Sequence, residues 1–200
     1  MNIQKIDASA QAVSLWSGGT TTQLAIWPPE ALYADRDFLW RLSSAVVELP
    51  ESDFTPLPDY RRILMILDGR LELSHDGGPV IVLNELEQNT FDGASHTISR
   101  GQVTDFNLMM RKGRCDGRVE AQVLSCGECW DRKEVLSREE SWQLIYCYQG
   151  QLSVTVENAE TWKLEGKDAL LVHCAAGETC NLCIGCPDGQ ATVIAANAFI

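Results

Sequence analysis

An all-β sandwich or barrel made of two related halves is the fold class this 200-residue sequence predicts. Three observations carry that prediction. Glycine and proline punctuate the whole chain, and long helical stripes are scarce. Short apolar or alternating runs recur at near-regular spacing between turn signals, the pattern of a sandwich or barrel. Aligning Gly69 with Gly150 sets an offset of 81 (150 − 69), and the same offset brings Leu71 onto Leu152, Leu73 onto Val154 and Leu83 onto Leu164. A repeated spacing of this kind points to duplication of one hairpin unit.

The elements follow in order. Trp16-Ser17-Gly18-Gly19 is a glycine-rich turn leading into β-branched Thr20, Thr21 and Thr22. Its glycines permit positive φ or close approach of backbone to a ligand. No Gly-Lys-Ser/Thr follows, so it is not a phosphate loop. Glu30 to Arg36 is expected to hold short helical turns. Phe38 to Val46 reads as a strand with Arg41, Ser43 and Ala45 on one face and Trp40, Leu42 and Ser44 on the other. Arg61 to Leu67 is an apolar strand behind two arginines. Arg61 shares a face with Ile63, Met65 and Leu67, and Arg62 shares one with Leu64 and Ile66; which face is the cavity stays open.

Asp68-Gly69 is a strong hairpin signal, because both residues tolerate positive φ. Arg70 to Ser74 forms the return strand, His75 to Gly78 closes it, and Val80 to Leu83 opens the next. Asp105 to Arg111 alternates most sharply: Asp105, Asn107 and Met109 oppose an apolar stripe of Phe106, Leu108 and Met110. Ser137-Arg138-Glu139-Glu140 has a cap-like serine and predicts a short turn. Trp142 to Tyr148, Gln149-Gly150 and Gln151 to Val156 repeat the strand–turn–strand pattern, Glu157 to Glu160 turns again, and Trp162 and Leu164 resume. The predicted halves are residues 1–112, carrying the pocket, and 113–200, packed on them.

Composition narrows the function classes. A hydrophobic fraction of 45% supports a packed core. A net charge of −12 repels phosphate backbones and anionic membranes, so neither nucleic acid nor membrane is an expected partner. No apolar run approaches the roughly 20 residues of a membrane helix. Met1 to Ala12 lacks the basic-then-apolar order of a signal peptide, so a cytoplasmic location is expected, with the eight cysteines reduced or metal-bound.

On the residues alone, Arg41 beside Ser43 makes a forked donor next to a hydroxyl, suited to a carboxylate. Asp105 and Asn107 opposite an apolar stripe read as a cavity wall or a solvent face. Taken together, Trp16 with its Gly-Gly-Thr loop, Phe38-x-Trp40-Arg41-x-Ser43, Phe54 with Pro58 and Arg61, Leu67-x-Gly69, Phe91-x-Gly93 and Asp105-Phe106-Asn107-x-Met109 resemble the HutD/Ves family, in the right order from about residue 14 to 111. Beyond Gly113 the resemblance is to strand pattern. It implies a cupin-like, bicupin β fold with two related halves, and a link to histidine utilisation through binding of a pathway acid such as formylglutamate. No established enzymatic activity comes with it. It also implies pocket roles for Arg41, Ser43, Arg61, Asp105 and Asn107, with Trp16, Thr22 and Gln23 at the loop. This chain departs from the commoner family loop, which is longer and follows its threonine with Arg-Glu; here Thr22 precedes Gln23 and Leu24.

A cupin-like fold raises the question of metal. His75, His96 and His173 include no His-x-His pair, so a mononuclear cupin site is not expected, nor is a resident cofactor. Cys126-x-x-Cys129 and Cys180-x-x-Cys183-x-x-Cys186-Pro187 have ligand-like spacing for a structural zinc. Gln190 stands where an iron–sulfur motif would place its fourth cysteine. Cys115, Cys147 and Cys174 read as small core residues. Three function classes therefore stand: a non-enzymatic binder of a small anionic metabolite with a regulatory role in histidine utilisation or stress response, a small-acid isomerase or hydrolase with Asp105 as base, and a metal-binding scaffold. A homodimer through edge strands is compatible with each.

Overall fold

The computed structural model describes residues 1–134, 140–157 and 160–200. In chain order the strands are β1 (Asn2–Ile6), β2 (Ala12–Trp16), β3 (Gly19–Trp27), β4 (Trp40–Val47), β5 (Glu51–Asp53), β6 (Tyr60–Asp68), β7 (Leu71–His75), β8 (Ile81–Leu83), β9 (Gln88–Asp92), β10 (Thr97–Arg100) and β11 (Val103–Arg111). They continue as β12 (Asp116–Ser125), β13 (Cys129–Glu134), β14 (Ser141–Gln149), β15 (Gln151–Val156), β16 (Glu160–Glu165), β17 (Ala169–Cys174), β18 (Cys180–Gly185) and β19 (Gln190–Phe199). Two compact units result: Ala12–Asp116, and Met1–Gln11 with Gly117–Ile200.

Each unit is a pair of antiparallel sheets. The first has the orders β2-β3-β4-β11-β6-β9 and β5-β10-β7-β8. The second has β12-β19-β14-β17-β1 and β13-β18-β15-β16. Reading β12, β19, β14 and β17 for β4, β11, β6 and β9 maps one large sheet on the other, and β13-β18-β15-β16 maps on β5-β10-β7-β8 in the same way. The fold is thus a cupin-like β-sandwich with two related halves. The offset seen in the sequence recurs in the pairing: Leu71 lies opposite Leu83, and Leu152 opposite Leu164. Gly69 and Gly150 adopt φ of 90° and 80° at equivalent turns. A Cβ there would fall 2.8 Å from the Gln102 carbonyl oxygen and 2.3 Å from that of Gln190, so both the backbone angle and the space require glycine.

Alternation fills both cores. In the first unit Val47, Leu64, Ile66 and Val103 of the large sheet meet Leu71, Leu73 and Leu83 of the small one. In the second, Ile145, Val172, Val193 and Ala195 meet Leu152, Val154, Leu182 and Ile184.

One expectation shifts. Residues 1–11 do not join the half that follows them: β1 pairs with β17 from Asn2 opposite His173 to Ile6 opposite Ala169, completing the edge of the second unit's sheet. Ile3 also packs on that unit's core. The short helical turn expected within Glu30 to Arg36 is present as a 3-10 turn, Tyr33–Asp35, ended by Arg36 in the left-handed region. The turn predicted at Ser137 lies outside the described residues, as do Asn158 and Ala159 of the later turn. Among the described residues no helix is long and apolar enough to cross a membrane.

Candidate ligand-binding site

Register builds one polar face on the first unit's large sheet. Residues directly opposite on antiparallel strands share a face. Asp105 lies between Ala45 and Ile66, Asn107 between Ser43 and Leu64, and Met109 between Arg41 and Arg62. Thr21 and Gln23 of β3 lie opposite Ala45 and Ser43. Along this face apolar Leu64 and Ile66 give way to polar groups, and a cavity of about 370 Å³ opens between the sheet and β5. That volume suits a small metabolite.

Two buried guanidiniums dominate it. Arg41 donates from Nε to Gln23 Oε1 at 2.9 Å and from an Nη to Ser43 Oγ at 3.2 Å, and its guanidinium lies 4.3 Å from the Tyr33 ring centre. Burial lowers its pKa. Arg62 is only 6% exposed, and its Nε has no hydrogen-bond partner. Its guanidinium sits 4.7 Å from the centre of Phe54 and 5.3 Å from that of Phe91. Burial lowers its pKa to about 10. The packing holds the charge in place and leaves hydrogen-bonding capacity unused.

The strand between the two arginines, β11, supplies acceptors on the same face. Asp105 is buried, and desolvation raises its pKa to about 7 against the attraction of Arg62 and a hydrogen bond from the Ala45 backbone N–H. Asn107 Oδ1 is buried without a partner. An orphaned donor and an orphaned acceptor on residues that line one cavity are a cost to the unliganded fold.

The structure gathers most of the sequence candidates. Arg41, Ser43, Asp105, Asn107 and Trp16 line the cavity, and Gln23 braces Arg41 from its edge. Two candidates fall elsewhere. Thr22 lies opposite Ser44 on the far face of the sheet, and its neighbour Thr21 lines the cavity instead. Arg61 has the face of Met110, not of Met109, and forms an ion pair with Asp116. Arg62 occupies the pocket in its place, which settles the parity left open by the sequence. Tyr33, Phe54 and the polar residues of β5 were missed because loop and opposite-sheet contributions leave no periodic signal.

Among the described residues the clustered cysteines are spread over different strand faces and turns. A separation of three places residues on opposite faces of a strand. Cys180 therefore points into the core with Leu182 and Ile184, whereas Cys183 is half-exposed across from Asp131. Cys186 is buried, and Cys126 and Cys129 are exposed. Among the described residues no group of three or more His, Cys, Asp or Glu could hold a metal ion.

With this geometry in hand, comparison with known proteins is decisive at the level of family. The HutD family model matches residues 8–185. The chain belongs to the HutD family. Protein Ves of Cronobacter sakazakii (strain ATCC BAA-894) is 32% identical to it over 123 residues, which are 56% of this chain and 63% of Ves. The match thus spans less than two thirds of that relative. Among solved structures, the conserved protein PA5104 of Pseudomonas aeruginosa PAO1 superposes with a TM-score of 0.85 at 21% identity, covering 99% of both chains. HutD from Pseudomonas fluorescens SBW25, in a formate condition, superposes with a TM-score of 0.73 at 22% identity, covering 98% of both chains. At these identities the superpositions establish the HutD-family fold.

Proposed function

We propose that this HutD-family protein binds a small carboxylate metabolite in the cavity of its first unit and serves histidine utilisation as a sensor or buffer of that metabolite rather than as a catalyst. The observation that carries this reading is Arg62: a buried, aromatic-clamped guanidinium facing a cavity with its Nε unpaired, in a protein of net charge −12. A second guanidinium, Arg41, faces the same space. Two fixed forks hold a carboxylate bidentately at little further cost in side-chain entropy. Asn107 Oδ1 favours a ligand that also carries an N–H or O–H donor, a description that an N-acylated amino acid such as formylglutamate meets. The formate condition of the P. fluorescens HutD structure makes formate a suitable minimal probe.

The test is a thermal-shift and calorimetric screen of formylglutamate, urocanate, glutamate, histidine and formate against wild type and Arg41→Ala. A ligand present at 100 times its Kd stabilises the native state by about 2.7 kcal/mol. One acid should shift the wild type and not the variant. No shift with any acid would sink the proposal.

A second reading has one observation in its favour. A carboxylate with a pKa of about 7 is matched to general-base work at neutral pH, and Asp105 has that property within the cavity. Turnover of a candidate acid followed by NMR, proportional to protein and abolished in Asp105→Asn, would replace binding by catalysis.

A further inference from the structure

We infer that the pocket takes up its anion together with one proton, and that the proton settles on Asp105. The inference rests on the anion-binding reading above and adds its regulation: occupancy would depend on pH as well as on metabolite concentration.

Asp105 sits on β11 between Ala45 and Ile66, 5% exposed, on the same face as both arginines. Its carboxylate has neither an ion-pair partner within 4.0 Å nor a side-chain donor recorded among the described residues, and accepts only the Ala45 N–H. The charged and titratable groups around it are Arg41 from β4, Arg62 from β6, Asp53 from β5, and Tyr33 with Arg36 from the turn after β3. Its neighbours on β11, Asn107 and Met109, carry no charge. The arginines are therefore the only cations on its face of the cavity among the described residues, and they are also what an incoming carboxylate would engage.

A ligand carboxylate and the Asp105 carboxylate enclosed in a space of about 370 Å³ repel one another. Like charges in a shared low-dielectric site raise one pKa strongly. The ligand is the group that enters the cavity Arg62 lines. Asp105 is the group already close to giving up its charge, since its pKa stands at about 7 before any ligand arrives. Once protonated, it changes from a repelling acceptor to an O–H donor able to face the bound anion. The bookkeeping is complete: the anion enters, one solvent proton binds Asp105, and no bond in the ligand changes.

The consequence is a definite pH profile. Below about pH 7 Asp105 is mostly protonated in the free protein, so affinity is flat while the ligand stays ionised. Above it, each binding event must draw a proton from solvent, and affinity falls towards tenfold per pH unit. The experiment is calorimetry of wild type with formate and with formylglutamate at pH 6.0 and 8.5, each in two buffers of different ionisation enthalpy. Proton uptake should approach one per anion at pH 8.5 and fall well below that at pH 6.0, with affinity at least tenfold weaker at the higher pH. In Asp105→Asn both the buffer dependence and the pH slope should vanish. Tight binding with equal affinity at the two pH values and no uptake would overturn the coupling while leaving the anion site standing. Uptake that persists in Asp105→Asn would place the proton elsewhere and overturn the assignment. Absence of binding by either acid at pH 6.0 would remove the anion site itself. The wild-type buffer comparison needs no variant to fold.

Discussion

Arg62 and Arg61 show how far one residue step separates function from surface chemistry. They are neighbours in sequence and stand on opposite faces of β6. Arg62 is buried between two phenylalanines with an unused donor, and Arg61 reaches an exposed partner, Asp116. Replacing Arg62 by methionine keeps the apolar stem packed on Phe54 and Phe91 and removes an uncompensated buried charge. The expected result is a loss of carboxylate affinity of at least tenfold with unliganded thermal stability unchanged or higher, because an unpaired buried cation is a net cost to the empty fold. Arg61→Ala should leave affinity within twofold and stability within about 0.5 kcal/mol, as exposed ion pairs contribute little. Titration calorimetry and thermal melts on the two variants decide the point. A binding defect in Arg61→Ala matching that of Arg62→Met would mean the parity assignment is wrong.

At the scale of elements, the hairpins are held by their turn glycines. Gly69→Ala and Gly150→Ala each combine an unfavourable positive φ with a clash against a neighbouring backbone carbonyl, whereas Gly113, at φ 69°, has open space around its Cβ direction. The first two substitutions should each cost at least ~1 kcal/mol more than Gly113→Ala, whose penalty is the left-handed backbone alone, about 1 kcal/mol. Chemical denaturation of the three variants orders them. These hairpins were legible in the sequence because Asp68-Gly69 and Gln149-Gly150 sit between runs of period two. The cavity wall was legible for the same reason: Arg41 with Ser43, and Asp105 with Asn107, keep their faces through uninterrupted strands. What could not be read is how strands meet. The β-bulge between Gln23 and Ala25 shifts the register of β3 against β4, and nothing in the local composition announces it. The face of Arg61 against that of Arg62 depends on β6 pairing with β11, a contact some 45 residues away in sequence. Cysteine spacing has one meaning on a turn and another on a strand, where a separation of three puts side chains on opposite faces.

Across the whole molecule, duplication produced two sandwiches whose large sheets carry different residues at the positions that form the first unit's cavity wall. Register carries the comparison residue by residue. Asn107 opposite Leu64 corresponds to Ala195 opposite Ile145, and Asp105 opposite Ile66 to Val193 opposite Cys147. Arg62 corresponds to Gln143 at the same offset of 81 (143 − 62), and Met109 to Asn197. In the second unit two of these positions are filled by Ala195 and Val193 of the apolar core, and two by the buried amides Gln143 and Asn197. Gln143 remains as a polar remnant, 1% exposed, with neither its amide nitrogen nor its amide oxygen hydrogen-bonded. An unsatisfied buried polar group costs about 1–3 kcal/mol. Gln143→Leu, close in volume and apolar, should therefore stabilise the protein by roughly that amount, a rise in Tm of several degrees at this chain length. Calorimetric stoichiometry should remain one carboxylate per chain in wild type and variant alike. A destabilised Gln143→Leu protein, or a stoichiometry of two that falls to one in the variant, would show that the second sandwich had kept a working site and that the amide serves it.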